Sequence, residues 1–178
     1  AFFRQNKFFG LREEQLFFFP QGMLPAIDAQ TGDFLLESPS SLALSPDGHG
    51  GSIKGLYRSG ALAWLKSRGV KTLSYFQVDN PLVNIIDPRF IGEHILFESQ
   101  FSSKTLPKRA ANEKVGVFAR DNGVLKVVEY SDLPPTLAQA TDSQGKLLYA
   151  EGNIAIHLLE IAFIESIASH ASMPITAR

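Results

Sequence analysis

The chain has 178 residues, 44% of them hydrophobic, and a formal net charge of −1, so it can enclose a core and lacks the basic surplus that would draw it to nucleic acid or an anionic membrane. It contains no cysteine, which excludes a disulfide framework and thiolate chemistry and is compatible with a reducing, cytoplasmic setting. No apolar run approaches the ~20 residues that span a bilayer.

In chain order, Phe2, Phe3, Phe8 and Phe9 predict a short amphipathic helix closed by Gly10. Residues 16–19, Leu-Phe-Phe-Phe, predict a buried strand ending at Pro20. Gln21 follows. In an open α/β sheet, ligands bind in the loop after a strand, and an amide that both donates and accepts suits the edge of a nucleobase. Taken alone, Gln21 reads first as a polar turn residue. Thr31-Gly32-Asp33 is a turn signal, and residues 34–36 predict the return strand of a hairpin on the edge of the main sheet.

The run Ser45-Pro46-Asp47-Gly48-His49-Gly50-Gly51 lies between apolar residues 42–44 and a helical pattern over 52–68. A strand feeding a glycine loop that opens a helix aims backbone N–H groups at a ligand and favours an anion. A tight turn that needs glycine for geometry alone explains the same residues. The helical pattern carries Ile53, Leu56, Tyr57, Ala61, Trp64 and Leu65, and Gly69 ends it.

Residues 72–78 predict a central strand. Asp79 would then sit at the carboxyl end of a parallel strand, where it can hold Mg²⁺ against phosphates, or else cap the next turn. A helix is predicted over 88–97, with Asp87 as N-cap and Pro88 in its first position. Residues 99–114 are polar and mildly basic. They predict a surface connection whose Lys104, Lys108, Arg109 and Lys114 face water rather than phosphate.

Residues 115–119 and 124–130 alternate around Asn122-Gly123, the strongest short signal for a β-hairpin, with Glu129 at the end of the second strand. A short helix is predicted over 131–140. A strand is predicted over 154–159 after Gly152-Asn153, then a helix over 161–168. His157 alternates with apolar neighbours and reads as a structural histidine. No metal-ligand spacing, nucleophile elbow or Walker loop is present.

Four stretches carry a resemblance when taken in order. They are Gln21-Gly22-Met23-Leu24-Pro25; the loop over 45–51; Val78-Asp79-Asn80 with Asp87-Pro88-Arg89-Phe90-Ile91-Gly92; and Val115-Gly116-Val117 through Val128-Glu129-Tyr130-Ser131 to Gly152-Asn153-Ile154-Ala155. The set resembles the UDP-sugar pyrophosphorylase family, nearest its UDP-N-acetylhexosamine branch.

The resemblance implies an α/β fold: a Rossmann-like nucleotidyltransferase core of the glycosyltransferase-A type, with a mixed, mostly parallel sheet, flanking helices and an added β-hairpin. It implies Mg²⁺ as cofactor and UTP and a sugar 1-phosphate as partners, with in-line attack of a sugar phosphate oxygen on the α-phosphorus and release of pyrophosphate. Such chemistry asks for positioning and charge neutralisation rather than a covalent nucleophile. By motif match, Gln21 would read uracil and Gly48 would lie against the nucleotide. Asp79 would be the catalytic residue serving metal and nucleotide. His49, Gly116, Glu129 and Asn153 would hold the sugar.

His49 and Ile156 stand where the acetylhexosamine branch usually carries Asn, and His at position 49 resembles the UDP-glucose and broad-specificity branches. That pattern implies a wider range of sugars. The family's glycine-rich G-x-G-T-R loop and its lysine segments lie outside this stretch. Residues 1–178 are thus expected to be the middle portion of one catalytic domain and inactive alone. A sugar-nucleotide-binding module without turnover is the alternative reading.

Overall fold

The computed structural model describes residues 1–169, which divide into two units. One comprises Ala1–Lys71 and the helix α6 (Ile161–Ala168); the other is Thr72–Glu160.

In the first unit, α1 (Phe2–Gln5) is a single turn. The predicted aromatic helix goes no further, because Lys7, Phe8, Phe9 and Gly10 all adopt positive φ. Residues 16–19 form no strand either. Phe18 is 64% exposed and packs edge-on against Phe3, and Phe17 leans on Trp64 at 5.5 Å, so the aromatic run is spent on ring contacts rather than on a sheet.

Two small antiparallel pairs follow: β1 (Met23–Pro25) with β4 (Leu44–Pro46), and β2 (Leu36–Ser38) with β3 (Ser41–Leu42). The turn over 28–33 forms as expected, with the Asp28 carboxylate accepting from the Gln30 and Thr31 amides. Its hairpin belongs to this unit and not to the edge of the large sheet.

The predicted helix over 52–68 is two helices, α2 (Gly48–Arg58) and α3 (Ala61–Ser67). Gly60 sits between them at φ 82°, the left-handed conformation that glycine adopts without strain and that ends a helix. The glycine loop is itself the first turn of α2, so the helix begins four residues earlier than its apolar pattern. Helix α6 packs on α2 and α3, burying Leu62, Ile161 and Ile164, and Lys66 pairs with Glu165 at 2.7 Å.

The second unit is built on a five-stranded sheet with β9 (Glu151–Glu160) at its centre. β6 (Phe101–Pro107) lies along one edge of β9. β5 (Thr72–Tyr75) and β7 (Val117–Asp121) share the other edge, β5 at the carboxyl half and β7 at Gly152. β8 (Val124–Val128) completes a hairpin with β7. Its turn holds Asn122 at φ 49° and Gly123 at φ 82°, the positive angles a two-residue hairpin requires.

Every described strand pair is antiparallel, where a mostly parallel sheet is expected from the sequence. β6 is a strand where the sequence predicts a connection. Its residues Ser-Ser-Lys-Thr look like a solvated connection, yet they alternate against β9. Lys104 is consequently half-buried: it pairs with Asp87 and lies 5.2 Å from the Phe90 ring. Lys108 is buried and donates to the Ala111 carbonyl at 3.1 Å.

Helix α4 (Pro88–Leu96) starts as predicted, with the Asp87 carboxylate accepting from the Arg89 and Phe90 amides. It is fastened to the sheet by buried His94, whose Nδ1 meets Ser102 on β6 at 2.7 Å and whose Nε2 meets Glu160 on β9 at 3.1 Å. Thr72 on β5 donates to the same Glu160 carboxylate. His157 is structural as expected, stacked on Tyr75, 5.0 Å from Phe101, and paired through Nδ1 with Ser103. The short helix α5 (Pro135–Ala138) covers less than the predicted 131–140.

Candidate functional site

The first unit gathers Gln21, Gly48 and His49. Antiparallel pairing of β1 with β4 sets Gln21-Gly22 beside Asp47-Gly48, and the Asp47 amide donates to the Gly22 carbonyl at 3.0 Å. Gln21 Nε2 donates to the Gly48 carbonyl at 2.6 Å. Gly48 and His49 open α2 and are exposed. The Asp47 carboxylate lies against the first turn, so tightly that a Cβ on Gly22 or Gly51 would overlap it, yet it makes no capping hydrogen bond to the helix start.

The second unit gathers Gly116, Glu129 and Asn153. Gly116 precedes β7 and Glu129 follows β8, so the hairpin returns one to the other: a Cβ on Gly116 would lie 3.3 Å from Glu129 Oε2. Asn153 joins them because its amide donates to the Gly116 carbonyl at 2.7 Å.

A bulge in β9 shapes this corner. The register with β6 steps from Lys104–Ile156 to Thr105–Asn153, leaving Ile154 and Ala155 unpaired on β6. Ala155 takes φ 53° and donates its amide to Asn153 Oδ1 at 3.0 Å. The bulge turns the Asn153 amide by its own oxygen, a recognised use of such irregularities next to functional groups.

Asp79 stands apart from the strand end where the sequence puts it. β5 stops at Tyr75, and Asp79 is exposed in the turn that Asn80 closes onto the Gln77 carbonyl at 3.2 Å. Among the described residues no three His, Asp or Glu side chains gather to hold a metal. A single exposed carboxylate suits an ion held mainly by substrate oxygens and water, as Mg²⁺ commonly is.

Sequence reasoning did not single out Asp47 within the loop, because no one-dimensional pattern joins Gly22 and Gly51, the glycines beside it in space.

The model of the UTP–glucose-1-phosphate uridylyltransferase family matches residues 2–177. The chain is 40% identical over 171 residues to UDP-N-acetylglucosamine diphosphorylase 2 of Arabidopsis thaliana, covering 94% of this chain and 34% of that protein. It is 40% identical over 157 residues to the UDP-N-acetylglucosamine pyrophosphorylase of Saccharomyces cerevisiae, covering 88% of this chain and 33% of that one. The crystal structure of the uridine diphosphate N-acetylglucosamine pyrophosphorylase of Trypanosoma brucei, 33% identical, superposes with a TM-score of 0.82 over 94% of this chain and 34% of its own. The chain thus spans about a third of the length of the relatives it matches. Over nearly all of its length, then, it belongs to the UTP–glucose-1-phosphate uridylyltransferase family.

Proposed function

We propose that the complete protein is a uridylyltransferase that makes a UDP-sugar and pyrophosphate from UTP and a sugar 1-phosphate. The observation that carries this reading is the convergence of Gly116, Glu129 and Asn153, far apart in sequence, in one corner of the second unit. An amide, a carboxylate and a close-approach glycine are what a hydroxyl-rich ring needs: donors, acceptors and room. The first unit carries the nucleotide side, with Gln21 for uracil and Gly48 beside it; His49 is assigned to the sugar phosphate.

In the reaction, a phosphate oxygen of the sugar 1-phosphate bonds to the α-phosphorus of UTP as the bond to the departing pyrophosphate breaks. Protein groups serve by orientation and by neutralising charge. Asp79 would hold Mg²⁺ together with phosphate oxygens, and the ion would supply that neutralisation. The Rossmann-like parallel strands implied by the family are assigned on this reading to the remaining two-thirds of the protein. His49 and Ile156 support glucose or galactose 1-phosphate as substrates beside N-acetylglucosamine 1-phosphate. A cytoplasmic location fits the absence of cysteine.

The test is release of pyrophosphate from UTP by the complete protein with each of these three sugar 1-phosphates. Turnover with more than one is expected. Strict N-acetyl dependence would remove the broad-specificity part, and UDP-sugar binding with no turnover would favour the binding-module reading.

A further inference from the structure

We propose that Asp47 is a positioning residue, whose carboxylate locks the Gln21-Gly22 segment onto the first turn of α2 and stands in that turn as its resident anion. The inference rests on the reading of Gln21 as the nucleobase contact.

Three observations converge on Asp47. Its Oδ1 is buried without a hydrogen-bond partner. Both neighbours of the carboxylate are glycines, and a Cβ on either would overlap it. Its own amide donates to the Gly22 carbonyl at 3.0 Å, next to the 2.6 Å bond from Gln21 Nε2 to the Gly48 carbonyl.

A carboxylate placed against the start of a helix meets the positive end of the backbone dipoles, which offsets the burial of its charge. The consequence concerns the atoms that Gln21 keeps for a ligand. With one N–H committed to Gly48, Gln21 retains one acceptor and one donor, the pair that a pyrimidine edge requires.

The experiment is a double-mutant cycle in the complete protein. Asp47→Ala should raise the KM for UTP three- to tenfold, about what one misplaced hydrogen bond is worth, while the KM for sugar 1-phosphate stays within twofold. Gln21→Ala should do the same, and the double variant should be no worse than the worse single, because Asp47 acts through Gln21. Effects that multiply, or that weaken both substrates equally, overturn the proposal. Should Asp47→Ala not fold, Asp47→Ser replaces it in the cycle.

If Gln21→Ala leaves the KM for UTP unchanged, or if the protein shows no turnover, the nucleobase reading falls and the lock is decided without ligand. Gly51→Ala should then lower the thermal midpoint in the native background and not in the Asp47→Ala background. Equal lowering in both backgrounds overturns the lock as well.

Discussion

Asn153 accepts the amide of Ala155 through its side-chain oxygen at 3.0 Å, across a bulge in which Ala155 is held at φ 53°. The oxygen is committed to the backbone, so in the proposed sugar-binding role the nitrogen is the atom Asn153 would offer. Asn153→Asp should therefore keep the bulge and the stability while weakening the sugar 1-phosphate. Asn153→Ala should weaken it equally and also lose about 1 kcal/mol of stability. Ala155→Val places a β-branched residue at positive φ in a buried position and should cost more than about 2 kcal/mol. Thermal unfolding and substrate KM values of the three variants check these outcomes.

Gly116 and Glu129 make the second prediction. The Cβ of Gly116→Ala would come 3.2 Å from Val127 and 3.3 Å from Glu129, so the glutamate must yield by a few tenths of an ångström. Gly116→Ala and Glu129→Ala should both weaken the sugar 1-phosphate much more than UTP. Glu129→Ala should lose about 1.5–3 kcal/mol per charged hydrogen bond removed. A parallel loss for both substrates would make the corner structural.

Asp79→Ala should cut turnover by ~10²-fold or more, the usual scale for removing a well-placed electrostatic group. Folding should be nearly intact, because the side chain projects from an exposed turn. Turnover unchanged in the complete protein would remove Asp79 from the mechanism.

Asp87 gives a pH dependence. The hydrogen bond from Lys104, then the Phe90 amide, hold its carboxyl below the ordinary aspartate value. A folded value lower than the unfolded one, ~3.9, means a contribution that is complete above that pH and lost as the pH falls through the folded value. Stability should decline on acidification below about pH 4. Asp87→Asn, which still caps the helix, should flatten that decline in a series of unfolding midpoints against pH.

His94 ties α4 to β6 and β9 from a buried position. His94→Leu would leave Ser102 unpaired and Glu160 with only Thr72, and should lower stability by about 2 kcal/mol or more, within the range for stranding buried polar groups. Chemical denaturation of wild type and variant measures it.

What the sequence made legible was local chemistry. Asp87-Pro88 marked a helix start and Asn122-Gly123 a hairpin because cap and turn geometry are set by adjacent residues. The helix over residues 161–168 was legible from its apolar run alone. β6 was hidden because Ser102, Ser103 and Lys104 spend their polar groups on His94, His157 and Asp87, partners 8 to 54 residues away. Residues 16–19 misled for the opposite reason: aromatic content predicts burial in a sheet, and here the rings meet other rings and Trp64. At the candidate site, motif order singled out Gly116, Glu129 and Asn153, which lie side by side, but the bulge that orients Asn153 depends on a register shift against β6 and leaves no trace in the string of residues.

The place of β9 in the chain bears on synthesis. This strand is paired with β5, β6 and β7, yet its ten residues are the last of the sheet to be made. While a ribosome is still adding residues before Glu151, β5 and β6 lack the strand they pair with among the described residues, and those backbone donors and acceptors are open edges. The hairpin of β7 and β8 can form at once, but the sheet must wait. Nascent chains arrested before residue 151 should accordingly bind chaperones and resist release, and those arrested after β9 has cleared the exit tunnel should not.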